Sequence, residues 1–107
     1  MTVPPIDIAE EDWAIVRDTL RRHVPDRAVW AFGSRATRTA RKYSDLDLAV
    51  ISDTPLPLET GGAMREDFSE SDLPFRVDIL DWATTSEGFR RIVERDKVVI
   101  QSGDKDR

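Results

Sequence analysis

Three aspartates stand out, because each adjoins apolar residues in a stretch that reads as a strand. Two belong to the run Ser44-Asp45-Leu46-Asp47-Leu48. In an extended chain, residues two apart point to the same face. Asp45 and Asp47 therefore project together, with backbones roughly 7 Å apart, while Leu46 and Leu48 turn into a core. Val77-Asp78-Ile79 repeats the pattern with one acid. If the two strands are neighbours, all three carboxylates share one face. Aspartate is depleted in strands, and three together repel one another, which raises each pKa. A divalent cation removes that conflict, and hard carboxylate oxygens suit magnesium or manganese. The plainer reading is three acids decorating a solvated sheet face; their apolar neighbours argue against it.

A second group is Phe32-Gly33-Ser34-Arg35. A glycine at the end of a strand lets a ligand approach the backbone closely. The amides that follow, opening a helix, face an anion, and the serine hydroxyl adds a donor. Alone, Gly-Ser is an ordinary strand-to-helix turn. Arg35, Arg41 and Lys42 could screen phosphate charge, although such residues also commonly sit in solvated loops. His23, the only histidine, falls in the last turn of a helix, where a cation is favoured; it reads as a helix-end residue. Trp13, Trp30 and Trp82 read as core or near-core residues, since aromatics dominate packing.

These residues need elements to position them. Glu10, Glu11 and Asp12 suit the first turn of a helix, with Asp7 as its N-cap. Trp13, Val16 and Leu20 recur at helical spacing, and Pro25 ends the helix. Residues 28–32 form a short apolar strand, and 34–40 a short helix or helical turn. Residues 45–52 read as a second strand. Pro55, Pro57, Gly61 and Gly62 mark residues 53–62 as a loop. Met64 and Phe68, four apart, place a helix over 63–70. A third strand covers 75–82. Thr85 or Ser86 then caps a helix with Phe89, Ile92 and Val93 on one face, and 98–100 add an edge strand. The order implies an α+β fold, a small mixed sheet with helices packed on it.

The bulk properties narrow the function. With 107 residues, one domain spanning 1–107 is expected, with loose ends at 1–9 and 102–107. No apolar run approaches a membrane span, and the start lacks the charge-then-apolar pattern of a signal peptide. Absence of cysteine fits the cytoplasm and excludes thiolate metal sites. The net charge of −5 argues against gripping long nucleic acid, which calls for a basic face. A triphosphate arriving with its own metal ions remains compatible.

Taken together, Gly33-Ser34, ten intervening residues, Asp45-Leu46-Asp47-Leu48 and the later Val77-Asp78-Ile79 resemble the nucleotidyltransferase superfamily that includes DNA polymerase beta and kanamycin nucleotidyltransferase. Within it the chain is most similar to the minimal nucleotidyltransferases of prokaryotes, over about residues 28–100. The resemblance implies a two-layer, palm-like α+β fold. It implies that Gly33 and Ser34, with Arg35 beside them, bind the triphosphate of ATP. Asp45 and Asp47 would hold two magnesium ions, with manganese as a substitute. Asp78 would share one ion and help deprotonate an acceptor hydroxyl. One departure is plain: relatives often carry glycine in the turn after Gly-Ser, where this chain has Arg38 or Thr39.

A domain this small has no room for an acceptor site of its own. The acceptor must be presented by a partner protein, a second copy of the chain or the target itself. The resemblance implies pairing with a HEPN-type toxin, neutralised by transfer of AMP onto a tyrosine. Two alternatives stand beside this. One is a binding module that blocks its partner by contact, with a vestigial site. The other is a transferase for small cationic molecules such as aminoglycosides, against which the missing second domain argues.

Overall fold

The computed structural model describes residues 3–103. The elements are α1 (Glu10–His23), β1 (Ala28–Phe32), α2 (Ser34–Thr37), β2 (Leu46–Ile51), α3 (Leu58–Glu70), β3 (Val77–Asp81), a 3-10 turn (Trp82–Thr84), α4 (Glu87–Asp96) and β4 (Val98–Gln101). The strands lie in the order β3-β2-β1-β4. β1 runs antiparallel to β2 and β4, while β2 and β3 are parallel. A parallel pair needs a long crossover, and α3 supplies it. The result is the expected mixed sheet with helices, an α+β fold.

The sheet's two faces differ because its strands alternate. Val29 and Ala31 of β1 and Leu46, Leu48 and Val50 of β2 point to one face, where Val16 and Leu20 of α1 and Met64 and Phe68 of α3 cover them. Each fully buried aliphatic side chain contributes about 1.5–3 kcal/mol. On the other face, Trp30 meets Trp82 edge-to-face at 5.1 Å, and Phe32 meets Phe89 at 5.9 Å. Lys97 Nζ lies 4.0 Å above the Trp30 ring, and the Arg90 guanidinium 4.8 Å from the Trp82 ring. These contacts hold α4 over β1 and leave the β2–β3 end of that face to the aspartates.

Several local expectations need correction. Asp7 does not cap α1; Ala9 occupies that position with no side-chain cap. Asp7 instead donates its N–H to Arg35 O at 2.8 Å. Within the expected loose end 1–9, Ile6 is 1% exposed and belongs to the core, while Val3 is exposed. Of the expected loose ends, residues 1–2 and 104–107 lie outside the described residues. α3 starts at Leu58, inside the expected loop, and contains Gly61 and Gly62. Each helical glycine costs about 0.5–1 kcal/mol; burial of Met64 and Phe68 outweighs that. Ser86, not Thr85, caps α4 by accepting from Phe89 N–H. On α4 only Val93 is buried, while Phe89 and Ile92 are 39% and 43% exposed.

Candidate active site

Strand register assembles the acids. Asp47 pairs with Asp78 across the parallel β2–β3 ladder, and with Phe32 across the antiparallel β1–β2 ladder. Asp78, Asp47 and Phe32 therefore form one row across three strands, on the face opposite the main core. Neighbouring strands lie about 4.8 Å apart. Asp45 precedes β2 by one residue. The ladder still reaches it, since Leu46 N–H donates to Arg76 O at 2.8 Å. Alternation places Asp45 on the Asp47 side. Asp47 is held above the ordinary carboxylate range, first by burial and then by the charges of Asp78 and Asp45.

That repulsion is the physical test of whether a cation suits this place, and the donor set passes it. Asp45 and Asp47 are half-buried and Asp78 is exposed, so the row is open to a ligand. Among the described residues, no three acidic, histidine or cysteine side chains form a ready-made metal cage. Hard cations complete their shells from substrate phosphates and water, which a row of aspartates on an open face permits.

Gly33 links the turn between β1 and α2 to the acids. Its backbone sits at φ 75°, ψ −161°, a region that essentially only glycine occupies. A Cβ there would lie 2.5 Å from Asp47 Oδ2. Glycine thus serves both the turn and the position of the carboxylate. Ser34 begins α2, and Gly33 O accepts from Ala36 and Thr37 N–H. The first amides of a helix have no partner within it, so those of Ser34 and Arg35 are placed to meet an acceptor.

Arg35 has a different place from the one expected. It is 6% exposed. Its Nε donates to Ser44 O at 2.8 Å and its Nη1 to Asp7 O at 2.9 Å. Nη2 donates to Lys42 O at 3.2 Å and Arg41 O at 3.4 Å. The guanidinium also stacks 4.1 Å over the Phe75 ring. These donors hold the loop that leads into Asp45, so the guanidinium is a positioning group rather than a phosphate contact. All four acceptors are main-chain carbonyls, which leave no side-chain signature. Arg41 and Lys42 remain exposed. Arg38 explains the missing glycine of the turn: it adopts the left-handed conformation, φ 61°, as the C-cap of α2. His23 lies away from the acids, its Nε2 2.6 Å from Asp67 Oδ2 of α3.

Residues 16–106 match the family described as Polymerase beta, Nucleotidyltransferase. The chain belongs to that family. It is 57% identical over 100 residues to the probable protein adenylyltransferase MntA of Haemophilus influenzae, covering 94% of this chain and 88% of that one. The fold is similar to that of a toxin–antitoxin structure solved with AMP-PNP, with TM-score 0.72 and 22% identity over 89% of this chain and 77% of that one. It is also similar to a tri-AMPylated HEPN toxin of Shewanella oneidensis in complex with its MNT antitoxin, with TM-score 0.67 and 19% identity over 91% and 75% of the two chains. The enzyme class is thus a nucleotidyltransferase, whose chemistry in this family depends on a divalent metal. Among the described residues, no helix is long and apolar enough to cross a membrane.

Phe89 flanks the site. Helical spacing sets it on one face with Val93, and its ring reaches out over Phe32, beside the acid row, and stays partly exposed.

Proposed function

We propose that this chain transfers AMP from ATP to a hydroxyl of a partner protein, as the antitoxin of a HEPN-type toxin. The observation that carries this is the register that sets Asp47 beside Asp78, with Gly33 packed against Asp47. The 57% identity to MntA supports the adenylyl donor and the protein acceptor. In this reading residues 1–107 act as one cytoplasmic domain. The amides of Ser34 and Arg35 and the Ser34 hydroxyl bind the β- and γ-phosphates. Asp45 and Asp47 would hold two magnesium ions, with Asp78 sharing one of them. Bound magnesium supplies charge neutralisation at the phosphate oxygens and lowers the pKa of the incoming hydroxyl.

The chain's own residues do the rest. The carboxylate of Asp78 takes the proton of the acceptor hydroxyl as that oxygen attacks the α-phosphorus. The bond from the α-phosphorus to the bridging oxygen breaks, and pyrophosphate leaves. Gly33 leaves room for Asp47 Oδ2, and Arg35 fixes the loop before Asp45. Most of the rate then comes from positioning and preorganised charge. The exposed Phe89, whose ring meets Phe32 of the acid row, and the exposed Ile92 of the same helix suit an acceptor delivered on a protein surface, from a partner or a second copy of the chain.

The test is transfer of α-phosphate-labelled ATP, with magnesium, in an extract of the host that contains the partner. A labelled protein band is expected with the unaltered chain and none with Asp45→Asn/Asp47→Asn, which should fold normally. Label retained in the double variant refutes the site. No label with either, together with continued neutralisation by the variant, favours the second reading of a contact inhibitor. The Phe89–Ile92 face is compatible with that reading too.

A further inference from the structure

A groove of about 520 Å³ opens between the end of α3, the start of β3 and the turn before β2. Tyr43, Asp45, Arg65, Phe75 and Arg76 are among its walls. Asp45 thus belongs both to the acid cluster and to this groove. Tyr43, the only tyrosine of the chain, is 70% exposed. The Lys42 ammonium stands 5.3 Å from the centre of its ring.

The turn fixes where that phenol projects. Ser44 N–H donates to Arg41 O at 3.1 Å, and Arg41 N–H donates to Ser44 Oγ at 2.9 Å. The Arg35 guanidinium holds the carbonyls of Lys42 and Ser44, one on either side of Tyr43. Both neighbours are therefore tied down, while the ring stands out into solvent. One residue separates Tyr43 from Asp45, so their Cα atoms are at most about 7 Å apart. On that tether a side chain as long as tyrosine's reaches the space over Asp45. Other hydroxyls nearby are engaged: Ser44 Oγ by the Arg41 amide, and Thr37 Oγ1 with Thr39 Oγ1 at 2.9 Å. Arg65, anchored by its Nη2 bond to Ile79 O at 3.3 Å, and Arg76 bring two positive charges to the groove. Guanidinium groups suit a phosphodiester in both charge and hydrogen bonding.

We propose that Tyr43 is a self-modification site, whose hydroxyl takes AMP from ATP bound at the chain's own acids. The inference rests on the transfer reading above. Tyr43 Oη forms a bond to the α-phosphorus, and its proton passes to Asp78, the base of that reading. The bond from the α-phosphorus to the bridging oxygen breaks, and pyrophosphate leaves. The new phosphodiester lies in the groove with Arg65 and Arg76, and Phe75 offers the adenine an aromatic wall.

The test uses the purified full chain with magnesium and α-phosphate-labelled ATP, and no partner. Label on the chain is expected, with a mass increase of one AMP group that peptide mapping places on Tyr43. Tyr43→Phe keeps the ring and loses only an exposed hydroxyl. It should fold normally, take no label, and still label the partner in a host extract. A mixture of Tyr43→Phe with Asp45→Asn/Asp47→Asn should also stay unlabelled, since neither chain holds both the hydroxyl and the acids. Label retained by Tyr43→Phe, or label in the mixture, overturns the proposal. A chain that labels its partner and never itself overturns it too, and leaves the transfer reading standing. No label on either chain or partner overturns both.

Discussion

Replacing Gly33 by alanine adds one carbon atom and tests the central geometry. Two penalties follow. The first is conformational. At φ 75°, ψ −161° an L-residue is strained by about 1–3 kcal/mol. For a domain of this size, a central value of about 2 kcal/mol lowers Tm by on the order of 10 °C. The second penalty falls on the site. The new Cβ would sit 2.5 Å from Asp47 Oδ2, about 0.9 Å inside the 3.4 Å of ordinary contact. A carboxylate at the end of a side chain relieves that overlap cheaply by rotating, so little further stability is lost. Rotation, however, removes Oδ2 from its place beside Asp78. A misplacement near 1 Å at a reacting centre costs about a hundredfold in rate. The assays are thermal unfolding, calorimetric binding of AMP-PNP with magnesium, and transfer of labelled AMP. Gly62→Ala is the control. An added Cβ there meets nothing within 4 Å, and alanine in a helix interior should stabilise by about 0.5–1 kcal/mol. A Gly33→Ala protein that unfolds earlier yet binds and transfers normally would refute the assigned position of Asp47. One that melts normally would refute the strained turn.

Arg38→Gly should stabilise the chain by about 0.5–1 kcal/mol, since glycine bears no steric penalty in the left-handed conformation. A rise of a few degrees in Tm checks this, and a fall would show that the Arg38 contact to Pro4 O matters more. Arg35→Met should cost about 3 kcal/mol by leaving several carbonyls without their charged donor. Arg35→Lys should not restore it, because an ammonium lacks the planar fork that reaches them; proteolysis within residues 38–44 should accelerate in both. Asp67 is held below the ordinary carboxylate range, first by its hydrogen bond with His23 and then by that with Arg22. A lowered carboxylate contributes stability above its unfolded pKa, near 3.9, and loses it as pH falls through the folded value. Stability in acid titrations should therefore fall off below about pH 4, and Asp67→Asn should flatten that part of the profile; an unchanged profile would remove this tie between α1 and α3.

The parts of the site that local chemistry defines were legible in the sequence. Asp45, Asp47 and Asp78 stood out because acids beside apolar strand residues are disfavoured without a reason. The strand Ala28–Phe32 was visible as an apolar run bounded by a glycine. Gly33 was visible because a turn at a strand end is a local event. Each of these rests on residues within a few positions of one another, where spacing alone fixes which side chains share a face.

What tertiary structure decided involves partners distant in sequence. Periodicity puts an acid on a face but does not choose the neighbouring strand; the parallel register that aligns Asp47 with Asp78 depends on α3 crossing over and burying Met64 and Phe68. That same burial drew Gly61 and Gly62 into a helix that their propensities oppose. Arg35 reads as a surface cation, and became a buried clamp because carbonyls of residues 7, 41, 42 and 44 converge on it. Phe89 and Ile92 share a helix face with Val93 on spacing, yet stay exposed where Val93 is buried, because α4 covers only the β1 side of the sheet. The sequence by itself determined which acids share a strand face, through local pattern. The packed fold decided how far apart those acids stand and which surfaces stay open around them, because burial is summed over the whole chain.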